Sequence, residues 1–133
     1  MRAREYQEQL VAGQMTETAL QAQVEAVART LGWRAYHTRD SRRSESGFPD
    51  LVLVRPPRLI FAELKRQSAK SQPTAEQQAW LDDVNAVGDA ISAELLRRMT
   101  DDELRTPGRL PGVEAYLWRP IDMTTKTITE VLR

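Results

Sequence analysis

Apolar residues first fall at helical spacing at Leu20, Val24, Val27 and Leu31, the stripe of an amphipathic helix. Thr16 stands before that stripe as an N-cap, Glu17 lies in the first turn where the helix dipole favours an acid, and Gly32 ends the run. Residues 1–15 are mostly polar, show no sustained period and contain Gly13, so they read as a tail or a frayed helix.

After Gly32 the period changes. Trp33 to Thr38 carries aromatic and β-compatible residues and predicts a short strand, followed by a polar loop from Arg39 to Phe48. Leu51 to Val54 is an apolar run short enough for a buried strand, Arg55-Pro56-Pro57-Arg58 is a turn, and Leu59 to Lys65 is the return strand. Four apolar residues in a row and then alternation suit a return strand buried on both faces at first and opening at its end. The two runs predict a hairpin.

A second helix begins at Thr74, with Gln77 three residues later in the arrangement of a capping box and Trp80, Leu81, Val84 and Val87 as its buried face. Residues 88–111 read as a helical insertion: Ala90 to Met99 is helical, Thr100-Asp101-Asp102-Glu103 starts a second short helix, and Thr106 to Gly112 is rich in Pro and Gly. Val113 to Trp118 resumes a strand pattern, and Thr127 to Leu132 predicts a last short helix.

Composition narrows the class. The chain has 133 residues, 41% hydrophobic and 29% charged, which fits one compact domain able to bury roughly two-thirds of its unfolded surface. There is no cysteine, which excludes disulfides, thiolate zinc sites and a cysteine nucleophile. The longest apolar runs are far too short to span a bilayer and the N-terminal stretch is polar where a signal peptide is apolar, so no membrane association and a cytoplasmic location are expected. The net charge is zero, but nine basic residues against four acidic ones lie between Arg34 and Lys70, making that segment +5 and the remainder −5. Either the loops are simply rich in Arg, or the segment meets phosphate.

The candidate chemistry lies in the hairpin. Glu63 and Lys65 are two apart, so on a strand they leave the same face, while Leu64 points into packing. Asp50 opens the neighbouring strand, and the turn brings it opposite the end that carries Glu63 and Lys65. Two carboxylates side by side repel each other unless a cation joins them. Asp50, Glu63 and the backbone carbonyl of Leu64 offer the hard oxygen ligands that Mg²⁺, or Mn²⁺ in its place, prefers. Lys65 beside such an ion can orient an attacking water or stabilise a pentavalent phosphorus. A Glu-x-Lys triplet alone carries little, since it is equally a charge pair at a strand end. The context of Gly47-Phe48-Pro49-Asp50, strand, tight turn and Glu63-Leu64-Lys65 carries more.

With Gly32-Trp33 closing the first helix and Gln77 and Trp80 on the second, this set resembles the PD-(D/E)XK nuclease superfamily and, within it, the VRR-NUC family, over about residues 16–87 and again at 112–122. The resemblance implies a restriction-endonuclease-like α/β core, a mixed central sheet flanked by helices, with residues 88–111 inserted before the last strand. It also implies Mg²⁺ or Mn²⁺ dependence and phosphodiester cleavage in DNA. Small free-standing members are often phage-encoded and similar to dimeric Holliday-junction resolvases, so a homodimer in a bacterial or phage-infected cell is expected. The family's usual first-helix Glu has two candidates, Glu17 and Gln21. Glu17 also serves as a dipole partner in the first turn.

Gln77 either reaches toward the metal or the substrate phosphate, as the resemblance implies, or completes the cap with Thr74. Arg39, Arg42 and Arg43, just before Asp50, and Arg66 and Lys70, just after Lys65, are the candidate DNA contacts. His37 reads as a packed or surface residue, and Trp80 and Trp118 as core. The expected function is a metal-dependent, structure-directed DNA endonuclease. The alternatives are a catalytically silent DNA-binding or assembly subunit of the same fold, and a sequence-specific restriction-type or nicking enzyme.

Overall fold

A computed structural model of the chain describes residues 2–38, 45–106, 108 and 110–133. Its elements run in the order α1 (Ala3–Gln14), α2 (Glu17–Thr30), β1 (Arg34–His37), β2 (Leu51–Arg55), β3 (Arg58–Leu64), α3 (Ala75–Arg98), α4 (Asp101–Arg105), β4 (Gly112–Trp118), α5 (Pro120–Thr124) and α6 (Thr127–Leu132). Among the described residues four strands form one sheet in the order β1-β2-β3-β4. The pairs β1/β2 and β2/β3 are antiparallel and β3/β4 is parallel. The crossover to the parallel strand runs through α3, the helical connection that a parallel pair requires. This is the mixed, helix-flanked sheet of a restriction-endonuclease-like fold.

The two faces of the sheet are covered differently. Leu51, Leu53, Ile60, Ala62 and Leu64 point to one face and pack with Leu20, Val24 and Ala28 of α2, Trp118, and Ile128 and Leu132 of α6. On the other face Phe61 meets Phe48, and Phe48 meets Trp80 of α3, both edge to face with ring centroids 6.2 and 5.1 Å apart. The expectation that β3 is buried at its start and opens at its end is reversed: Leu59 is half-buried, whereas Ala62, Glu63 and Leu64 are buried. The strand starts at an exposed hairpin turn and ends between α2 and the first turn of α3.

The capping signals act as the sequence predicts. Thr16 Oγ1 accepts from Ala19 N–H at 3.0 Å, and Gly32 leaves α2 at φ +87°. The N-terminal segment read as a tail or a frayed helix is the helix α1, packed on α5 with Ala12 fully buried. The helical segment expected between residue 88 and the last strand is also present, but it is not separate from the second helix. Instead α3 runs unbroken through Gly88 to Arg98. Gly88 permits this because a Cβ there would lie 1.9 Å from the carbonyl oxygen of Val113. Three residues earlier, the amide of Asn85 bonds both the N–H and the C=O of Ala115 at 2.9 and 3.1 Å, covering the outer edge of β4 as a neighbouring strand would. The buried face assigned to this helix is narrower than expected: Leu81 is buried, Trp80 and Val84 are half-buried, and Val87 is 54% exposed. Trp80, Val84 and Val87 line an open hollow shared with Glu45 and Ser46.

Two of the basic residues counted toward a phosphate-binding segment have a structural role. Arg55 and Trp33 Nε1 donate to the carbonyl of Leu132 at 2.9 and 2.8 Å, and Arg58 donates to that of Val131 at 2.8 Å, capping the C-terminal carbonyls of α6. Arg58 is also paired with both oxygens of Glu114 at 2.8 and 2.7 Å. That pairing holds the carboxyl below the usual range against the opposing effect of its burial.

Candidate active site

The hairpin register delivers the three residues at one end of the sheet. Leu51 pairs with Ala62, so the next step of the ladder sets Asp50 opposite Glu63. Asp50 is fixed from several directions: its Oδ2 accepts from Leu64 N–H at 2.8 Å, its carbonyl accepts from Thr38 N–H at 2.9 Å, and Thr38 Oγ1 donates to the preceding Pro49 carbonyl at 3.1 Å. The Gly47 turn that leads into it lies against the first turn of α3. A Cβ on Gly47 would sit 2.6 Å from the backbone of Glu76, and φ is +83°, so this close approach requires glycine.

Glu63 is 3% exposed. Its Oε1 accepts from Gln77 Nε2 at 3.0 Å and lies 3.8 Å from Lys65 Nζ. Its Oε2 is buried without a hydrogen-bond partner among the described residues. Burial pushes the carboxyl up to about 8, helped by the negative charge of Asp50 and by the hydrogen bond that a protonated Glu63 can donate to it. Lys65 opposes the rise, and Glu17 adds to it. In the ionised form Oε2 has no donor to meet it, a costly arrangement for a buried charge.

Gln77 completes the cap with Thr74 and also holds Glu63, a contact that neither sequence reading named. Its backbone N–H donates to Thr74 Oγ1 at 3.1 Å, its Oε1 accepts from Thr74 N–H at 2.9 Å, and its Nε2 holds Glu63. One amide therefore closes the capping box with its oxygen and aims the carboxylate with its nitrogen. Of the two first-helix candidates, Glu17 is exposed yet its charge reaches Glu63. Gln21 is half-buried, and among the described residues no hydrogen bond ties it to either carboxylate. Arg66 and Lys70 are exposed on the segment that follows Lys65. Arg39, Arg42 and Arg43 lie outside the described residues. His37 is half-buried in β1, and Trp118 is core as expected.

Among the described residues no three Asp, Glu or His side chains stand together in a metal-holding group. The oxygen donors available are therefore two carboxylates and backbone. Such a set suits Mg²⁺, which keeps several of its waters and takes one or two protein carboxylates, and an orphaned buried carboxylate oxygen is what a cation would satisfy.

The family model of the VRR-NUC domain matches residues 1–97. The chain belongs to the VRR-NUC family. The match runs to the end of α3, so it takes in α1 and the continuation of α3 beyond Gly88. Membership gives this VRR-NUC chain a nuclease-type, DNA-processing function with DNA as substrate or partner. Neither the curated proteins nor the solved structures give a match. No helix among the described residues is long and apolar enough to cross a membrane.

Sequence reasoning missed the bond from Leu64 N–H to Asp50, the reach of Gln77 to Glu63, and the packing of Gly47 on α3. The first two had a signal in the paired positions of the hairpin and the capping box. The third had only the glycine itself.

Proposed function

We propose that residues 1–133 form one nuclease domain, a metal-dependent DNA endonuclease that hydrolyses phosphodiester bonds and selects branched or interrupted DNA. The observation that carries the reading is the buried Glu63 Oε2, without a partner and beside Asp50 and Lys65. Asp50, Glu63 and the carbonyl of Leu64 are the groups that would hold Mg²⁺ or Mn²⁺, with Glu17 acting from the first turn of α2. When bound, the ion supplies Lewis acidity to a phosphodiester oxygen and to water. The chain's residues do the rest. Leu64 N–H holds Asp50 and Gln77 holds Glu63, so both carboxylates are oriented before substrate arrives. Lys65 places a positive charge where negative charge gathers on phosphorus, and its three donors can orient the attacking water.

A structure-directed choice is supported by the groups around the centre: Arg66 and Lys70 are phosphate-contacting types, and phosphate contacts carry no sequence information. Cutting two strands of a junction calls for two centres, so the working form is taken as a homodimer. An open, mostly apolar hollow along α3 lined by Val87, Ala90, Ile91 and Leu95 supports a surface buried between copies, which light scattering would check.

The test is incubation of the purified protein with labelled four-way junction, flap, nicked and intact duplex DNA, with Mg²⁺ or Mn²⁺ and with EDTA. Metal-dependent cleavage of the branched substrates is expected, with Lys65→Ala losing at least about a hundredfold in rate while melting as a folded protein. Metal-independent cleavage, or cleavage unchanged in Lys65→Ala, refutes the proposal. DNA binding without cutting would mark a silent binding subunit, and a fixed sequence at the cut would mark a restriction-type enzyme.

A further inference from the structure

The ladder between β3 and β4 continues one step past Leu64, since Lys65 N–H donates to the Trp118 carbonyl at 3.0 Å. Arg119, the residue after Trp118, is therefore at the same end of the sheet as Lys65. It is half-buried. Its Nη1 donates to the carbonyls of Arg66 at 2.6 Å and Ser68 at 3.3 Å, and Gln67 Oε1 accepts from Ile121 N–H at 3.0 Å. These bonds stitch the segment after Lys65 to the turn after β4.

Against that seam lies an open hollow of about 230 Å³ lined by Gln67, Ser68, Ala69, Gln72 and Arg119. Its polar lining is amide, hydroxyl and guanidinium, and no carboxylate contributes. The nearby Asp122 accepts from the backbone N–H of Arg119 at 2.8 Å, not from its guanidinium. Residues 65–72 contain Lys65, Arg66 and Lys70 and no acid. Among the described residues Nε and Nη2 of Arg119 make no hydrogen bond, while Nη1 holds the side chain in place. A guanidinium fixed by one nitrogen, with donors left over and amides and a hydroxyl beside it, matches the planar recognition of a phosphate oxyanion. The hollow offers no carboxylate to a cation and only Ala69 to an apolar group.

We infer that Arg119, with Gln67, Ser68 and Gln72, forms a second phosphate subsite that holds a backbone phosphate of the DNA flanking the scissile one. The assignment rests on the nuclease reading and adds to it a second fixed point on the strand. One anchored phosphate leaves a flexible strand free to pivot about the cut. A second one close by sets its direction and register across Asp50, Glu63 and Lys65.

The test is a binding series with the full chain and DNA in which single phosphates around the cut site are replaced, one at a time, by neutral methylphosphonate. Wild-type protein is expected to lose about five- to tenfold in affinity at one flanking position. In Arg119→Ala the affinity for unmodified DNA falls by a similar factor, that position becomes insensitive, and the slope of log affinity against log salt is shallower by about one contact. Gln72→Glu, which puts a negative charge into the hollow and leaves the Arg119 bonds intact, is expected to weaken binding in the same salt-dependent way. A phosphate map unchanged in Arg119→Ala, or unaltered affinity in a folded Gln72→Glu, overturns the subsite and leaves the nuclease reading standing. If the wild-type chain binds no DNA, both fail together.

Discussion

Glu63 gives the centre a pH signature that can be read without any substrate. Its carboxyl is pushed from the ordinary 4.5 up to about 8 by burial and by Asp50, while in the unfolded chain it titrates at its ordinary value. Between those two values the folded state holds a proton that the unfolded state has lost. Stability of the metal-free protein therefore falls as pH rises through that window and levels off above it, opposite to the usual behaviour of a carboxylate. At about 1.4 kcal/mol for each unit between the two values, the cost is a few kcal/mol by pH 8.5. Glu63→Gln removes the ionisation and keeps the shape: the amide oxygen still accepts from Gln77 Nε2, and the amide nitrogen takes the place of Oε2 and can donate to Asp50. In EDTA the variant is expected to match wild type near pH 5 and to exceed it by a few kcal/mol at pH 8.5, on the order of 10 °C in melting temperature for a chain of this size. Urea or thermal melts from pH 5 to 9 measure it. Mg²⁺ should then restore wild type at pH 8.5 and leave Glu63→Gln unmoved. A wild-type stability flat with pH, or a variant weaker than wild type at pH 8.5 in EDTA, would show that Lys65 already neutralises an ionised Glu63 and that the orphaned oxygen is no measure of a cation site.

Substitutions at two positions of α3 probe how the helix serves the site and the sheet. Gln77→Ala removes the capping oxygen and the hold on Glu63 together, so it is expected to cost about 1 kcal/mol in denaturant melts and also to weaken Mn²⁺ binding by calorimetry; Gln77→Glu still caps but sets a carboxylate against Glu63 where the donor stood, so in EDTA at pH 8.5 it should not recover the stability. Gly88→Ala improves helix propensity by about 1 kcal/mol but drives a methyl to within 1.9 Å of the Val113 carbonyl. A net loss of several kcal/mol is expected in equilibrium unfolding, and a neutral or stabilising result would mean that α3 does not cross β4 this closely.

Much of this arrangement is legible in the chain. Two apolar runs, Leu51 to Val54 and Leu59 to Ala62, joined by a four-residue turn predict a hairpin, and the shortness of that turn brings Asp50 opposite Glu63. The caps at Thr16 and Thr74 are local chemistry and need no tertiary knowledge. What could not be read is whatever depends on a distant backbone. Gly88 looks like a helix breaker until β4 is seen lying across it. Val84 and Val87 look like core because they are apolar and in phase, yet beyond Leu81 the helix is anchored through Asn85 and Gly88, whose polar or small character hides the true contact face. Arg55 and Arg58 count as positive charge in a sum over the chain, but they bind the carbonyls at the end of a helix more than seventy residues away.

The same distinction explains why the centre was easier to read than its surroundings. Asp50, Glu63 and Lys65 are brought together by one hairpin, so their geometry follows from local register. Orientation is another matter, because a carboxylate in a sheet can turn about its own torsions until something fixes it. Here the fixing groups are Leu64 N–H for Asp50 and the amide of Gln77 for Glu63, and the second comes from a helix that starts only after the sheet edge has been passed. Gln77 can do this because its oxygen is already held by Thr74, which leaves the amide nitrogen facing the strand. A residue required by local helix chemistry thus becomes a fixed donor at the site, and Gly47, packed against the same turn of α3, ties the approach of Asp50 to that same point. The first turn of α3 is therefore where helix capping, the entry of the Asp50 strand and the aim of Glu63 are set by a single piece of backbone.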